Sequence, residues 1–134
     1  MVDEIEHVFV SWHDCAKNQK LDDLAGLYDV NAVFESPLVP AILGCESGVI
    51  LGRSEIRRFF GRGAELSSDS PINWYRSDEF FSNGRTLIWE YPRKTPSGEQ
   101  FDVVEVMEIE GGKIVKHRVY CGWFSSKALF SQSE

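Results

Sequence analysis

Residues 101–123 read FDVVEVMEIEGGKIVKHRVYCGW, two runs of period two around a Gly-Gly turn. One phase of the first run is Phe101, Val103, Glu105, Met107 and Ile109; one phase of the second is Val115, His117, Val119, Cys121 and Trp123. The opposite phases, with Asp102, Glu108 and Glu110 on the first run and Lys116 and Arg118 on the second, carry far more charge. Such alternation marks an antiparallel hairpin with one face on a core. The apolar rows face inward and take Glu105 and His117 with them. A three-residue loop, Glu110-Gly111-Gly112, sets Ile109 opposite Lys113 and Glu105 opposite His117, with Cβ atoms about 5 Å apart. A two-residue loop would set Glu105 opposite Arg118 and Met107 opposite Lys116, mixing the two rows, so the three-residue register is preferred.

Upstream of the hairpin, NWYRSDEFF and TLIWEYP also read as strands. Ser-Asn-Gly-Arg, Thr-Pro-Ser-Gly and Glu-Gly-Gly-Lys separate the strands as turns. Before residue 72 the period is different. Ile5, Val8, Phe9, Trp12 and Ala16 have helical spacing, and Asp3 and Glu4 suit a helix start. A second helix is expected over Leu21 to Tyr28, with Leu24, Leu27 and Tyr28 inward. NAVFESPLVP reads as a short strand ended by prolines, and AILGCESGVILG as a loop or hairpin. Ser54 is placed to cap a third helix, SEIRRFFGRG, burying Ile56, Phe59 and Phe60. Helices followed by a meander predict one α+β domain over residues 1–134, with three N-terminal helices packed on one face of a curved, mainly antiparallel sheet.

Composition narrows the function classes. A hydrophobic fraction of 43% and an aromatic fraction of 13% can supply the core of one 134-residue domain. A formal charge of -7 argues against nucleic acid or an anionic membrane as partner. No apolar run approaches the roughly 20 residues of a membrane span. The acidic start MVDEIEHVF lacks the basic region of a secretory signal. Cys15, Cys45 and Cys121 show neither a CxxC pair nor zinc spacing, so reduced thiols and a cytoplasmic setting are expected, with no metal and no cofactor. Apolar Val104 and Val106 beside Tyr120 on the outer row point to a covered face and a homodimer formed through it.

The order of features resembles the nuclear-transport-factor-2-like superfamily, and within it the SnoaL-like and ketosteroid-isomerase-like proteins. The resemblance rests on the Trp12 helix, LDDLAGLYDVNAVFESP, GRSEIRRFF and the terminal GGKIVKHRVY hairpin. It implies a cone-shaped fold around a pocket, and often a dimer through the outer sheet face. Ketosteroid isomerases place an oxyanion-donating tyrosine on the first helix, a basic aspartate before a proline, and a protonated aspartate on the penultimate strand. Those positions hold Trp12, Ser36 and Glu105 here, so one function of the three is retained. The limonene-epoxide-hydrolase arrangement of two carboxylates and an arginine maps onto Glu105, Val119 and Val103, again with one match. SnoaL-like cyclases use a His and an Asp as acid and base without a cofactor, parts that Glu105 and His117 could play.

Glu105 is therefore the candidate general acid or base and His117 its partner. Trp12, Ser36, Phe59, Trp89, Tyr91, Val103, Val119 and Cys121 are the candidate ligand contacts. Ser36 is read either as a contact at the pocket mouth or as the cap of a turn, and Phe60, Trp74 and Trp123 as wall or core. His7 and His13 lie off the Trp12 face and are expected in solvent. Three functions stay open. The first is a cofactor-independent isomerase, cyclase, hydratase or hydrolase acting on a small apolar or aromatic molecule. The second is a non-catalytic domain binding such a molecule. The third is a dimeric scaffold whose pocket is filled by its own aromatics.

Overall fold

The structure is a computed structural model and describes residues 3–66, 73–74, 79–94 and 100–131. Helix α1 (Glu4–Lys17) begins where the Asp3 carboxylate accepts the Ile5 N–H at 3.0 Å. Acids in its first turn and Lys17 in its last oppose the helix dipole at both ends. Ile5, Val8, Phe9, Trp12 and Cys15 form its buried stripe. Helix α2 (Leu21–Ala25) is short, and Gly26 turns the chain into strand β1 (Tyr28–Glu35). The expected helix to Tyr28 thus ends three residues early. Tyr28 pairs with Ile114, and that ladder overrides the local helical spacing.

The end of the segment read as a strand and the start of the one read as a loop or hairpin hold helix α3 (Leu38–Leu43), closed by Gly44 at φ 70°, and the rest of the latter holds strand β2 (Val49–Leu51). Helix α4 (Arg53–Leu66) follows Gly52, so Ser54 lies inside its first turn rather than at its cap. Ile56 and Phe59 are buried on α4 and Phe60 is half-buried, as its spacing predicts. The remaining strands are β3 (Asn73–Trp74), β4 (Phe81–Ser82), β5 (Thr86–Lys94), β6 (Gln100–Glu110) and β7 (Lys113–Cys121). The middle of NWYRSDEFF, the side chain of Trp74 and the Thr-Pro-Ser-Gly turn lie outside the described residues. One sheet runs in the order β2-β1-β7-β6-β5-β3, with β4 also on β5; β1–β7 is its parallel pair and the other pairs are antiparallel. The α+β fold expected from the change of period is the fold observed, with α3 added among the N-terminal helices.

The hairpin register differs from the expected one. Gly111 and Gly112 both have positive φ, 58° and 77°, which is the geometry of a two-residue primed turn. Glu110 therefore pairs with Lys113 and Ile109 with Ile114. A β-bulge follows: Glu108 pairs with Lys116, leaving Val115 as the extra residue. The bulge keeps the rows from mixing. Ile114 is buried and Val115 half-buried, the reverse of their expected phases, yet His117 and Val119 still share a face with Glu105 and Met107. Glu105 stands opposite Val119, and His117 opposite Met107.

Strand β7 stops before Gly122, whose N–H donates to the Asp102 carbonyl at 2.8 Å. Helix α5 (Trp123–Ser131) follows. The buried Ser125 hydroxyl accepts the Asp102 N–H at 2.6 Å and donates to its carbonyl at 2.8 Å, tying α5 to β6. Trp123, expected at the end of the inner row, is instead 71% exposed.

Candidate active site

The inner sheet face and helices α1, α3 and α4 enclose a cavity of about 340 Å³. Its walls are mostly apolar and aromatic, with Phe34, Phe59, Phe60 and Val119 among them. Its polar end is built by β5, β6 and β7. Glu105 projects from β6 and His117 from β7; as diagonal neighbours in the ladder they lie within reach of long side chains. His117 Nε2 lies 2.6 Å from Glu105 Oε1, and the Tyr91 hydroxyl of β5 donates to Oε2 at 2.8 Å. His117 is 1% exposed and Glu105 5%.

The network continues behind the cavity. His117 Nδ1 lies 2.8 Å from the Tyr28 hydroxyl oxygen, which accepts the Trp12 indole N–H at 3.0 Å. Burial pushes the Tyr28 phenol well above the usual tyrosine range; the Trp12 hydrogen bond opposes this, and the Glu105 charge adds to it. Phe34 meets the His117 ring edge-on at 4.8 Å and closes its remaining side. A carboxyl group this deep is stable only when its oxygens are hydrogen-bonded, and here both are.

Trp12, Ser36, Phe59, Tyr91, Val103 and Val119 line the cavity together with Glu105 and His117. Two expected contacts do not. Trp89 is buried outside the cavity lining, with ring centroids 5.4 Å from Trp12 and 5.3 Å from Phe9; it lies two residues before Tyr91 on β5. Cys121 is half-buried at the end of β7, outside the lining. Ser36 does both things proposed for it: it lines the cavity, and its hydroxyl oxygen accepts the Leu38 N–H at 3.1 Å. His7 is exposed as expected, but His13 is not. Its Nδ1–H donates to the Phe9 carbonyl at 2.8 Å and its ring packs 5.0 Å from Trp89, so burial lowers its pKa, with the Phe9 hydrogen bond and the Glu105 charge opposing.

The sequence reading missed Tyr28, Phe34 and the α3 residues Leu38 and Ile42. Phe34 was accessible from alternation alone, since Ala32, Phe34 and Ser36 share one buried phase of β1 and its extension. Tyr28 was hidden by its helical spacing. Among the described residues, no three His, Cys, Asp or Glu side chains group to hold a metal ion, and no helix is long and apolar enough to cross a membrane.

The SnoaL-like domain model matches residues 9–117, so this chain belongs to the SnoaL-like family. No protein of curated function matches the sequence. Among solved structures, the chain is similar to a nuclear-transport-factor-2-like protein of unknown function from Burkholderia pseudomallei, at 13% identity over 99% of this chain and 100% of that one, with a TM-score of 0.75. It is similar to a SnoaL-like protein of unknown function from Burkholderia thailandensis, at 15% identity over 92% and 98% of the two chains, TM-score 0.71. It is also similar to TerC, crystallised with polyporic acid, at 13% identity over 96% of each chain, TM-score 0.74. At such identities the likeness concerns the fold, and the superfamily resemblance drawn from the Trp12 helix and the terminal hairpin holds.

Proposed function

We propose that the chain is a cofactor-independent acid–base catalyst acting on a small apolar or aromatic molecule. In this reading the Glu105 carboxylate takes a proton from an acidic C–H or O–H of the substrate and returns it to another atom, the balance of an isomerase, cyclase or hydratase step; a hydrolase would pass a proton from water in the same way. His117 and Tyr91 hold the carboxylate in place. The observation that carries the reading is the buried carboxylate at the polar end of an otherwise apolar cavity. Ionisable groups so placed are concentrated at functional sites. The volume of about 340 Å³ falls at the lower end of ligand pockets, and it weighs against a scaffold filled by its own aromatics. TerC, of the same fold, was crystallised with polyporic acid, in keeping with a small-molecule pocket.

The steroid-isomerase mechanism fits less well. The Trp12 N–H, at the oxyanion-donor position, is directed to Tyr28, and Ser36, at the base position, is not a carboxylate and its hydroxyl oxygen is taken up by the Leu38 N–H. The same two facts favour the second reading, a non-catalytic binding domain. Incubation with small ketones, phenols and aromatic acids in D₂O, followed by proton NMR, separates the two. Catalysed C–H to C–D exchange or turnover of one class is the expected result. Ligand-induced shifts without exchange or turnover across the panel would establish the binding domain instead.

A homodimer through the outer sheet face belongs to the same proposal. Val104 and Val106 are half-buried there, Val106 paired with Ile88 of β5, and Tyr120 is 51% exposed opposite Val104. Such an interface would bury on the order of 1,200–2,000 Å² in total. Light scattering at micromolar concentration should give twice the chain mass; a monomer mass would refute the dimer. The cysteines Cys15, Cys45 and Cys121 are all free thiols, in keeping with a reducing, cytoplasmic setting.

A further inference from the structure

We propose that Tyr28 is a positioning residue: from the Nδ1 side, as the Glu105 carboxylate does from the Nε2 side, it fixes His117 as the Nε2–H tautomer, and so leaves Glu105, not His117, as the group able to take a proton. The argument is a count of hydrogens along a buried chain. An indole N–H can only donate, so Tyr28 Oη accepts from Trp12 at 3.0 Å. The hydroxyl hydrogen of Tyr28 then has one acceptor within reach, Nδ1 of His117 at 2.8 Å. Nδ1 must be bare to accept it. The ring proton therefore sits on Nε2 and is donated to Glu105 Oε1 at 2.6 Å, while the Tyr91 hydroxyl serves Oε2. Every donor meets an acceptor.

The opposite arrangement fails at two atoms: a bare Nε2 would face the acceptor-only Glu105 Oε1 at 2.6 Å, and the Tyr28 hydrogen would be stranded. With a proton on Nδ1, Tyr28 would accept from both Trp12 and His117, and its own hydrogen would point at nothing. Tyr28 is 0% exposed, so bulk water cannot rescue it. Burial keeps the phenol protonated, so that hydrogen is always present. The hydroxyl cannot move away either. The Tyr28 carbonyl accepts the Arg53 Nε–H at 2.8 Å, its backbone pairs with Ile114, and its ring stacks on His117 at 5.9 Å with 20° between planes.

One consequence concerns the chemistry and rests on the acid–base reading above. With Nε2–H spent on Glu105 and Nδ1 on Tyr28, His117 offers no nitrogen to a molecule in the cavity and acts through Glu105 alone. Trp12 has a matching part: at the position where ketosteroid isomerases carry their donor, its N–H sets the direction of Tyr28 instead.

Long-range proton–nitrogen correlation NMR on protein labelled with ¹⁵N-histidine tests this without any ligand. The chain has three histidines, and His7→Gln and His13→Gln identify the His117 signals by elimination. The wild type should show His117 as a single tautomer with bare Nδ1 and protonated Nε2. In Glu105→Gln, whose amide can accept from or donate to Nε2, the same tautomer should persist, and adding Tyr28→Phe should convert it to a mixture, its two nitrogen shifts moving toward each other. If that double variant does not fold, Trp12→Phe in the Glu105→Gln background serves: without the indole donor Tyr28 can accept as well as donate, and an Nδ1–H form should appear. Nδ1–H in the wild type or in Glu105→Gln, or an unaltered tautomer in whichever double variant folds, would overturn the proposal. The expected tautomer with no exchange on any panel compound would leave Tyr28's role standing and remove the acid–base reading alone.

Discussion

Glu105→Gln should lower catalysed proton exchange by about 10²–10⁴-fold while leaving the fold intact. The asymmetry follows from the neighbours of the carboxyl group. The Gln carbonyl oxygen can accept the His117 Nε2–H just as Glu105 Oε1 does at 2.6 Å. Its amide nitrogen then faces the Tyr91 hydroxyl, now 2.8 Å from Oε2, and a hydroxyl that donates to a carboxylate can rotate to accept from an amide. The shape of the cavity is kept, and the cost to stability should be about 1 kcal/mol. What disappears is the carboxylate that the proposal makes the proton carrier. Circular dichroism and a denaturant midpoint near the wild-type value would establish the intact fold, and the D₂O assay would read the chemistry. Full exchange in a folded Glu105→Gln would reject Glu105 as proton carrier and put the binding domain ahead. Exchange lost together with the fold would contradict the hydrogen-bond argument itself.

The features legible in the sequence were those imposed by one buried face. Val103, Glu105, Met107 and Ile109 are all buried while Asp102, Val104, Val106 and Glu108 are not, and that alternation needed no structure to see. It carried the two ionisable residues inward, and with them most of the candidate site. The register was not legible, because Glu-Gly-Gly-Lys accommodates either a two- or a three-residue turn. The answer lay in a bulge at Val115 that no local pattern marks. Phase also tells which face a residue joins but not how far along the strand the cavity extends. Trp89 and Cys121 were therefore assigned to the site with Tyr91 and Val119, although they lie beyond its ends. Helix α3 was masked by Pro37 and Pro40, read as strand breakers. Pro37 stands at its N-cap and Pro40 in its first turn, where the missing N–H would have no helical partner. Tyr28 was the costliest miss. Its helical spacing after Leu21 and Leu24 hid a place decided by pairing with a strand late in the chain.

His117→Leu should be the most destabilising single change in the site, by about 3–5 kcal/mol, the range for removing one partner of a buried ion pair or its hydrogen-bonded equivalent. Leucine fills much of the imidazole volume, so the loss is of hydrogen bonds more than of packing. Glu105 Oε1 loses its donor at 2.6 Å, in a place where it is 5% exposed. Tyr28 loses the acceptor for its hydroxyl hydrogen, in a place where it has no exposure at all. Two buried polar groups are thus orphaned by one substitution, against a total stability of about 5–15 kcal/mol for a domain of this kind. Adding Glu105→Gln replaces the stranded carboxylate by a neutral amide. The double variant should therefore regain part of the loss, with a coupling energy of about 0.5–3 kcal/mol between the two positions. Urea unfolding of the two single variants and the double variant measures that coupling, since a chain of 134 residues is short enough for two-state treatment. If the two losses simply add, Glu105 and His117 do not act as one buried pair, and the joint role argued for them in moving a proton loses its physical basis.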